Sequence, residues 1–142
     1  MLAGDLALVS AALFTGAAFY VNFAEQPARL GLDDRSLLEQ WKASYKRGYI
    51  MQSTLALIGF VLGAVAWWSN GIVAFLLGAM LMLANWPWTF LAVMPTNRIL
   101  MATDRGSAGG ASRALLTKWN RLHAVRTGLG AMAVLSFLWA LA

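Results

Sequence analysis

Four stretches of the chain stay apolar for the length of a membrane crossing, and the polar residues crowd into the segments between them. A span takes about 20 mainly apolar residues, within a range of roughly 17–25. The windows Leu6 to Ala24, Tyr49 to Trp68 and Ile72 to Met94 meet that length without a charged residue, and a fourth window ends at Ala142. Only Ser69, Asn70 and Gly71 separate the second window from the third, a polar turn so short that the two helices must run antiparallel as neighbours. The pattern predicts one all-α domain, a four-helix transmembrane bundle with spans at about 6–24, 49–68, 72–94 and 123–142.

The two longer connections carry their own signals. Behind Asp33 and Asp34, which offer helix caps, Leu37, Leu38, Trp41 and Tyr45 recur at helical spacing. This predicts a short interfacial helix in the first loop, with Arg35, Glu39, Lys42 and Lys46 on its polar face. In the second loop Gly106 to Ser112 is rich in Gly, Ser and Ala and reads as a flexible connection, with Ser112 as the N-cap of the last helix. Small residues four apart, Ala12/Gly16 and Gly59/Gly63, allow close helix packing.

Charge adds the orientation. All 11 Lys and Arg fall on one side of the predicted spans, which the positive-inside rule makes cytoplasmic. Met1, the Ser69 to Gly71 turn and Ala142 are then expected outside a cell inner (cytoplasmic) membrane, with Trp67 and Trp68 as outer interfacial anchors. No Lys or Arg precedes the first apolar run, so a signal-peptide n-region is missing and the first helix is expected to stay.

Composition narrows the chemistry. With 60% hydrophobic and 12% charged residues the chain departs from soluble usage, about 45–50% and 25%. The expected surroundings are the lipid bilayer, and the net charge of +5 reads as a cationic membrane face rather than a nucleic-acid surface. Cysteine is absent, which removes disulfides, iron–sulfur clusters and thiolate metal sites. Glu25 and His123 supply two candidate metal ligands where three or more are the rule, and a single histidine disfavours haem, so no metal and no cofactor is expected. Phosphate loops, nucleotide fingerprints and hydrolase nucleophile elbows are missing as well.

The last helix holds the most telling length. Thr127 to Ala142 is uncharged but covers only ~24 Å of a hydrocarbon core of ~30 Å. It must draw one more turn inward, which carries Arg126 and His123 to headgroup level or below, on one face with Trp119 and Leu122. Tyr20, Asn22 and Glu25 stand at the same depth on the first helix, just before Pro27, which is expected to stop it, and Glu25 is the expected ion-pair partner of Arg126. Pro87 predicts a kink in the third helix beside Asn85, Trp86 and Trp88. These residues, with Trp41, Gln52, Asn97 and Trp119, describe an inner-leaflet pocket with aromatic walls and a few fixed polar groups, suited to a flat hydrophobic aromatic molecule.

The stretches Tyr20 to Arg29, Trp41-Lys42 through Tyr45-Lys46-Arg47-Gly48 to Met51-Gln52, Pro95-Thr96-Asn97, and Trp119 to Arg126 resemble the anthrone-oxygenase-like family of small four-helix membrane proteins. The resemblance implies oxidation of an anthrone, or a similar polyketide-like substrate, to an anthraquinone by molecular oxygen without a known metal or flavin. On that reading His123 is the general base, Arg126 or Asn22 stabilises the enolate oxygen, Glu25 orients His123 or Arg126, and Trp86 and Trp119 stack on the rings. Tyr20, Trp41, Gln52 and Asn97 complete the substrate-binding set. Two other readings stand beside it: a non-catalytic subunit held by a membrane protein partner or a homo-oligomer, and a quinone- or lipid-binding protein that uses the same pocket without chemistry.

Overall fold

A computed structural model describes all 142 residues and contains only helices. Four long rods, α1 (Leu2–Leu30), α2 (Asp34–Asn70), α3 (Val73–Ala102) and α4 (Gly110–Leu141), are each long and apolar enough to cross a membrane. Together they make a multi-pass membrane protein. Helix α1 packs against α2 and α4, and α3 packs against the same two, so α1 and α3 stand at opposite corners of a square.

Each rod is apolar nearly all round because it faces packing on one side and lipid on the other. Leu13, Val61, Leu91 and Leu135 are exposed, and a soluble domain carrying such a surface would aggregate. Inside, Ala7, Ala11, Phe14, Phe75, Met82 and Phe137 form the core of the half that holds both chain termini. Close approach there depends on glycine: a Cβ at Gly63 would stand 2.9 Å from the Phe137 ring and 3.0 Å from Ala79, and one at Gly59 would stand 2.9 Å from Met82 Cε. Gly59 and Gly63 therefore pack as predicted. Gly16 does not, since a Cβ there would meet nothing.

The turn between α2 and α3 is as tight as predicted. Gly71 closes α2 in the left-handed region at φ 73°, its N–H bonded to Trp67 O at 2.7 Å, and Asn70 Oδ1 accepts from Ile72 N at 2.9 Å. At the opposite end Asp33 caps α2 by accepting from Arg35 N and Ser36 N, both at 3.1 Å, and hydrogen bonding from Ser36 holds its carboxyl below the usual range.

Four local expectations are corrected. The segment behind Asp33 is helical but is not a separate interfacial helix: it runs unbroken into the second span, because Gly48 alone does not end a helix. Its Leu37, Leu38 and Trp41 are buried against Val93, Leu100, Leu116 and Trp119 rather than lying at a headgroup surface. Ser112 is the third residue of α4, not its cap; Gly109 precedes the helix, and Ser112 Oγ exchanges hydrogen bonds with its N (3.0 Å) and O (2.9 Å). The second loop contains a helical turn at Arg105–Ser107. Finally, Pro27 does not stop α1, and α3 likewise runs on past Pro95.

In both cases the helix absorbs the proline by widening one turn. Gln26 N–H bonds to Val21 O and Met94 N–H to Thr89 O, five residues back instead of four, so that Val21–Glu25 and Thr89–Val93 are π turns directly before Pro27 and Pro95. A π turn adds a residue to the helix circumference and pushes side chains outward, which is why such bulges recur at functional sites. Here the two bulges sit on the diagonal pair α1 and α3, and Val21, Glu25, Thr89 and Val93 from them face one hollow.

Candidate active site

The hollow is a cavity of about 710 Å³ in the half of the bundle that holds the basic residues. All four helices wall it: Tyr20 and Glu25 from α1, Trp41 and Gln52 from α2, Asn97 from α3, and Trp119, His123 and Arg126 from α4. Eight of the ten residues singled out in the sequence thus line one space, while Asn22 and Trp86 lie outside it.

The aromatic wall is braced in a fixed geometry. Trp41 stacks on Tyr45 (4.9 Å, 14°) and meets Trp119 edge-on (5.9 Å, 85°), and Trp119 stacks on His123 (4.8 Å, 28°). Asn97 ties the set together, accepting from Trp119 Nε1 at 2.9 Å and donating to Tyr45 Oη at 3.3 Å. Its amide is engaged on both sides, so Asn97 positions Trp119.

His123 is 3% exposed and its orientation is set from behind. Asn22 Nδ2 donates to the main-chain oxygen of Asn120 at 2.9 Å and to its side-chain oxygen at 2.6 Å, so the other end of the Asn22 amide, an acceptor only, faces His123. That oxygen accepts from Thr127 Oγ1 at 2.8 Å and lies 2.9 Å from His123 Nδ1. Nδ1 must therefore carry the proton. The neutral ring then keeps its lone pair on Nε2, which bonds to no other group in the protein.

Arg126 is 6% exposed, has no carboxylate within ion-pair distance, and holds its Cζ 5.5 Å from the Phe14 ring. The expected Glu25–Arg126 pair is not formed. Glu25 instead binds Arg29 one turn along the same helix and accepts from Gln40 Nε2 at 3.2 Å. The i,i+4 neighbour wins because helix geometry already holds it within reach, whereas Arg126 would have to cross the cavity. Arg29 is one of the 11 cations that lie to one side of the predicted spans, yet it is 3% exposed, donates to Ser44 Oγ at 3.0 Å and places its Cζ 5.9 Å from the Trp119 ring. The Glu25-x3-Arg29 spacing was the signal that could have found it.

Two further assignments change. With its Nδ2 spent on Asn120, Asn22 cannot serve as an enolate partner. Trp86 lies in a small crevice with Asn85, Ser53 and Phe90, beyond the floor that Thr89 and Arg126 give the cavity, because it sits about one turn deeper on α3. Asn85 donates to Leu81 O (3.2 Å) and Met82 O (3.3 Å), not to the Leu83 carbonyl that Pro87 leaves without its helical donor. Trp88 donates to Leu122 O at 3.0 Å and so ties α3 to α4.

Several buried polar atoms around the cavity have no partner within the protein: Trp41 Nε1, Gln52 Oε1, Thr89 Oγ1 and Arg126 Nε. Buried polar groups are otherwise almost always satisfied, so these mark a surface built to meet water or a ligand. No three His, Asp or Glu side chains gather as a metal-ligand set. The chemistry on offer is a lone imidazole nitrogen, a guanidinium free of a carboxylate, and a rigid aromatic wall.

The sequence comparisons bear on the same elements. The anthrone oxygenase family profile matches residues 41–136, a stretch that includes Trp41, Asn97, Trp119, His123 and Arg126. An anthrone oxygenase of Claviceps purpurea (strain 20.1) is 30% identical over 137 residues, covering 86% of this chain and 78% of that protein. No solved structure matches. On the profile match and the extent of the shared sequence, the chain belongs to the anthrone oxygenase family.

Proposed function

We propose that the protein oxidises a flat aromatic ketone of the anthrone type with molecular oxygen, in the cavity between the helices. The observation that carries this reading is His123, held as the Nδ1–H tautomer by Asn22 with its Nε2 lone pair unused, stacked on Trp119 and one turn from Arg126.

An anthrone presents a CH₂ group flanked by two rings and opposite a carbonyl. His123 Nε2 takes one proton from that CH₂, and the electron pair left behind delocalises into the rings as an enolate. Arg126 stabilises the negative oxygen by charge and by its N–H groups, an interaction worth far more away from bulk water. The enolate passes one electron to O₂, giving a carbon radical and superoxide, which combine to a C–O bond. Protonation of the outer oxygen by imidazolium gives a hydroperoxide. Loss of the second C–H proton, with cleavage of the O–O bond, releases water and leaves a carbonyl. One anthrone and one O₂ thus become one anthraquinone and one water.

Trp41, Tyr45 and Trp119 supply the walls on which the rings pack, and Gln52 and Thr89 supply unpaired polar atoms in the lining. Glu25 neutralises Arg29, so that Arg126 is the buried cation of the cavity left without a carboxylate. The test is turnover by the purified protein in lipid vesicles with anthrone under ¹⁸O₂. The reading expects equal consumption of anthrone and O₂ and a single ¹⁸O atom in the quinone; a rate no higher than that of empty vesicles overturns it.

A further inference from the structure

A cavity inside a bundle needs a way in, and its walls differ in how they are closed. At the basic end the packed cluster of Leu37, Leu38, Trp41, Leu100, Leu116 and Trp119 plugs the bundle. Arg113 latches that end shut, bonding Asp34 Oδ1 at 2.6 Å and the carbonyls of Leu30 at 2.8 Å and Leu32 at 2.5 Å. Toward the chain termini the core around Phe14 and Phe137 fills the interior.

The seam between α1 and α2 is different. Along it runs a surface furrow of about 730 Å³, lined by Ala12, Leu13, Gly16, Met51, Thr54 and Leu55, which adjoins the cavity at Ala17 and Met51, residues that line both. The furrow is almost wholly apolar, and its one hydroxyl, on Thr54, is turned back to Ile50 O at 2.8 Å. It lies within the charge-free stretches of both helices, at a depth where lipid tails and not water are the solvent. Gly16 on α1 and Gly48 on α2 border furrow and cavity, and a Cβ at either would meet nothing within 4 Å.

We propose that the α1–α2 seam is a lateral doorway, through which an apolar ligand dissolved in the bilayer reaches the cavity without passing through water. The proposal rests on reading the cavity as a ligand site and adds the class of ligand: a molecule that partitions into membrane, with its oxygenated end leading toward Arg126. Gly16 keeps the furrow open on one side and Gly48 keeps the mouth open on the other.

The experiment uses the full chain in lipid vesicles and a small apolar aryl diazirine dissolved in the bilayer, with the sites of photolabelling read by mass spectrometry. Cavity residues Tyr45, Tyr49 and Met51 are expected to be labelled in the parent protein. Gly16→Leu and Gly48→Leu, each filling space that no side chain occupies, are expected to lose label at Tyr45 and Tyr49, while Gly128→Leu, on open α4 surface, keeps it. Absence of cavity label in the parent, or equal label in the parent and both plugged chains, overturns the doorway, as does cavity labelling obtained only with a charged, water-soluble diazirine. Labelling requires no turnover, so a chain that admits the probe yet oxidises nothing removes the proposed reaction and leaves the doorway standing.

Discussion

Asn22 Oδ1 lies 2.9 Å from His123 Nδ1, and the same oxygen accepts from Thr127 while the other end of the amide is anchored on Asn120. Residues 101 positions apart in the chain are thereby locked so that one side chain fixes the proton of the other. An imidazole rotates readily when unrestrained, and the wrong tautomer would present a proton instead of a lone pair to the cavity. Asn22 is in this account a positioning residue that acts through His123.

Replacing Asn22 with Leu removes the acceptor and is expected to lower kcat with little change in KM, since ligand binding to the aromatic wall is untouched. Asn22→Asp keeps an acceptor for Nδ1–H and is expected to retain more activity than Asn22→Leu. The added anion favours imidazolium over the neutral base, so the acid limb of the rate profile must move to higher pH. A pH profile of kcat for the two variants checks both statements; an unshifted acid limb in Asn22→Asp would remove the coupling.

Arg126→Gln should lose the stabilisation of the enolate oxygen, a loss of about a hundredfold to a thousandfold in kcat by analogy with removal of an oxyanion donor. No carboxylate is left unpaired by the change, because Glu25 pairs with Arg29, so the thermal midpoint in detergent is expected to hold. Oxygen uptake and a melting curve on the same preparation separate the two effects.

Glu25→Gln is expected to act on stability instead. It leaves the buried Arg29 without its anion, and breaking a buried pair from one side costs on the order of 3 kcal/mol. Removing both partners together, as Glu25→Gln with Arg29→Met, should recover much of that loss. A double-mutant cycle by denaturant unfolding in detergent measures it, and additive losses would contradict the pairing.

Packing around the glycines separates core from lipid face. Gly63→Val forces a side chain into Phe137 and Ala79 and should cost about 1–3 kcal/mol, whereas Gly16→Ala fills open space and should hold or raise stability. Thermal unfolding of the two variants provides the comparison.

Much of this was legible in the residues, and the gaps have physical causes. Charge-free windows announced the four helices because lipid leaves the backbone no alternative, and the short last window correctly drew His123 and Arg126 into the bundle. Pairing was harder, since one carboxylate with two arginines in range is decided by distance, and the loop-side label on Arg29 hid its burial. Pro27 reads as an end because proline removes a donor, yet α1 there, like α3 at Pro95, shifts one bond to a five-residue spacing and continues, a choice that only packing makes. The role of Asn22 was misread for a related reason: an amide has two ends, and what each can do depends on partners at Asn120 and Thr127 that spacing along the chain does not reveal.

The measurement that bears most directly on the account is the rate of anthrone consumption under O₂ by the vesicle-reconstituted protein and its His123→Ala variant, with folding of both verified by thermal unfolding. Proton removal by Nε2 predicts a variant that is folded and slower by about a hundredfold or more, the usual contribution of a general base. A folded His123→Ala protein that turns over anthrone at the parent rate would contradict it.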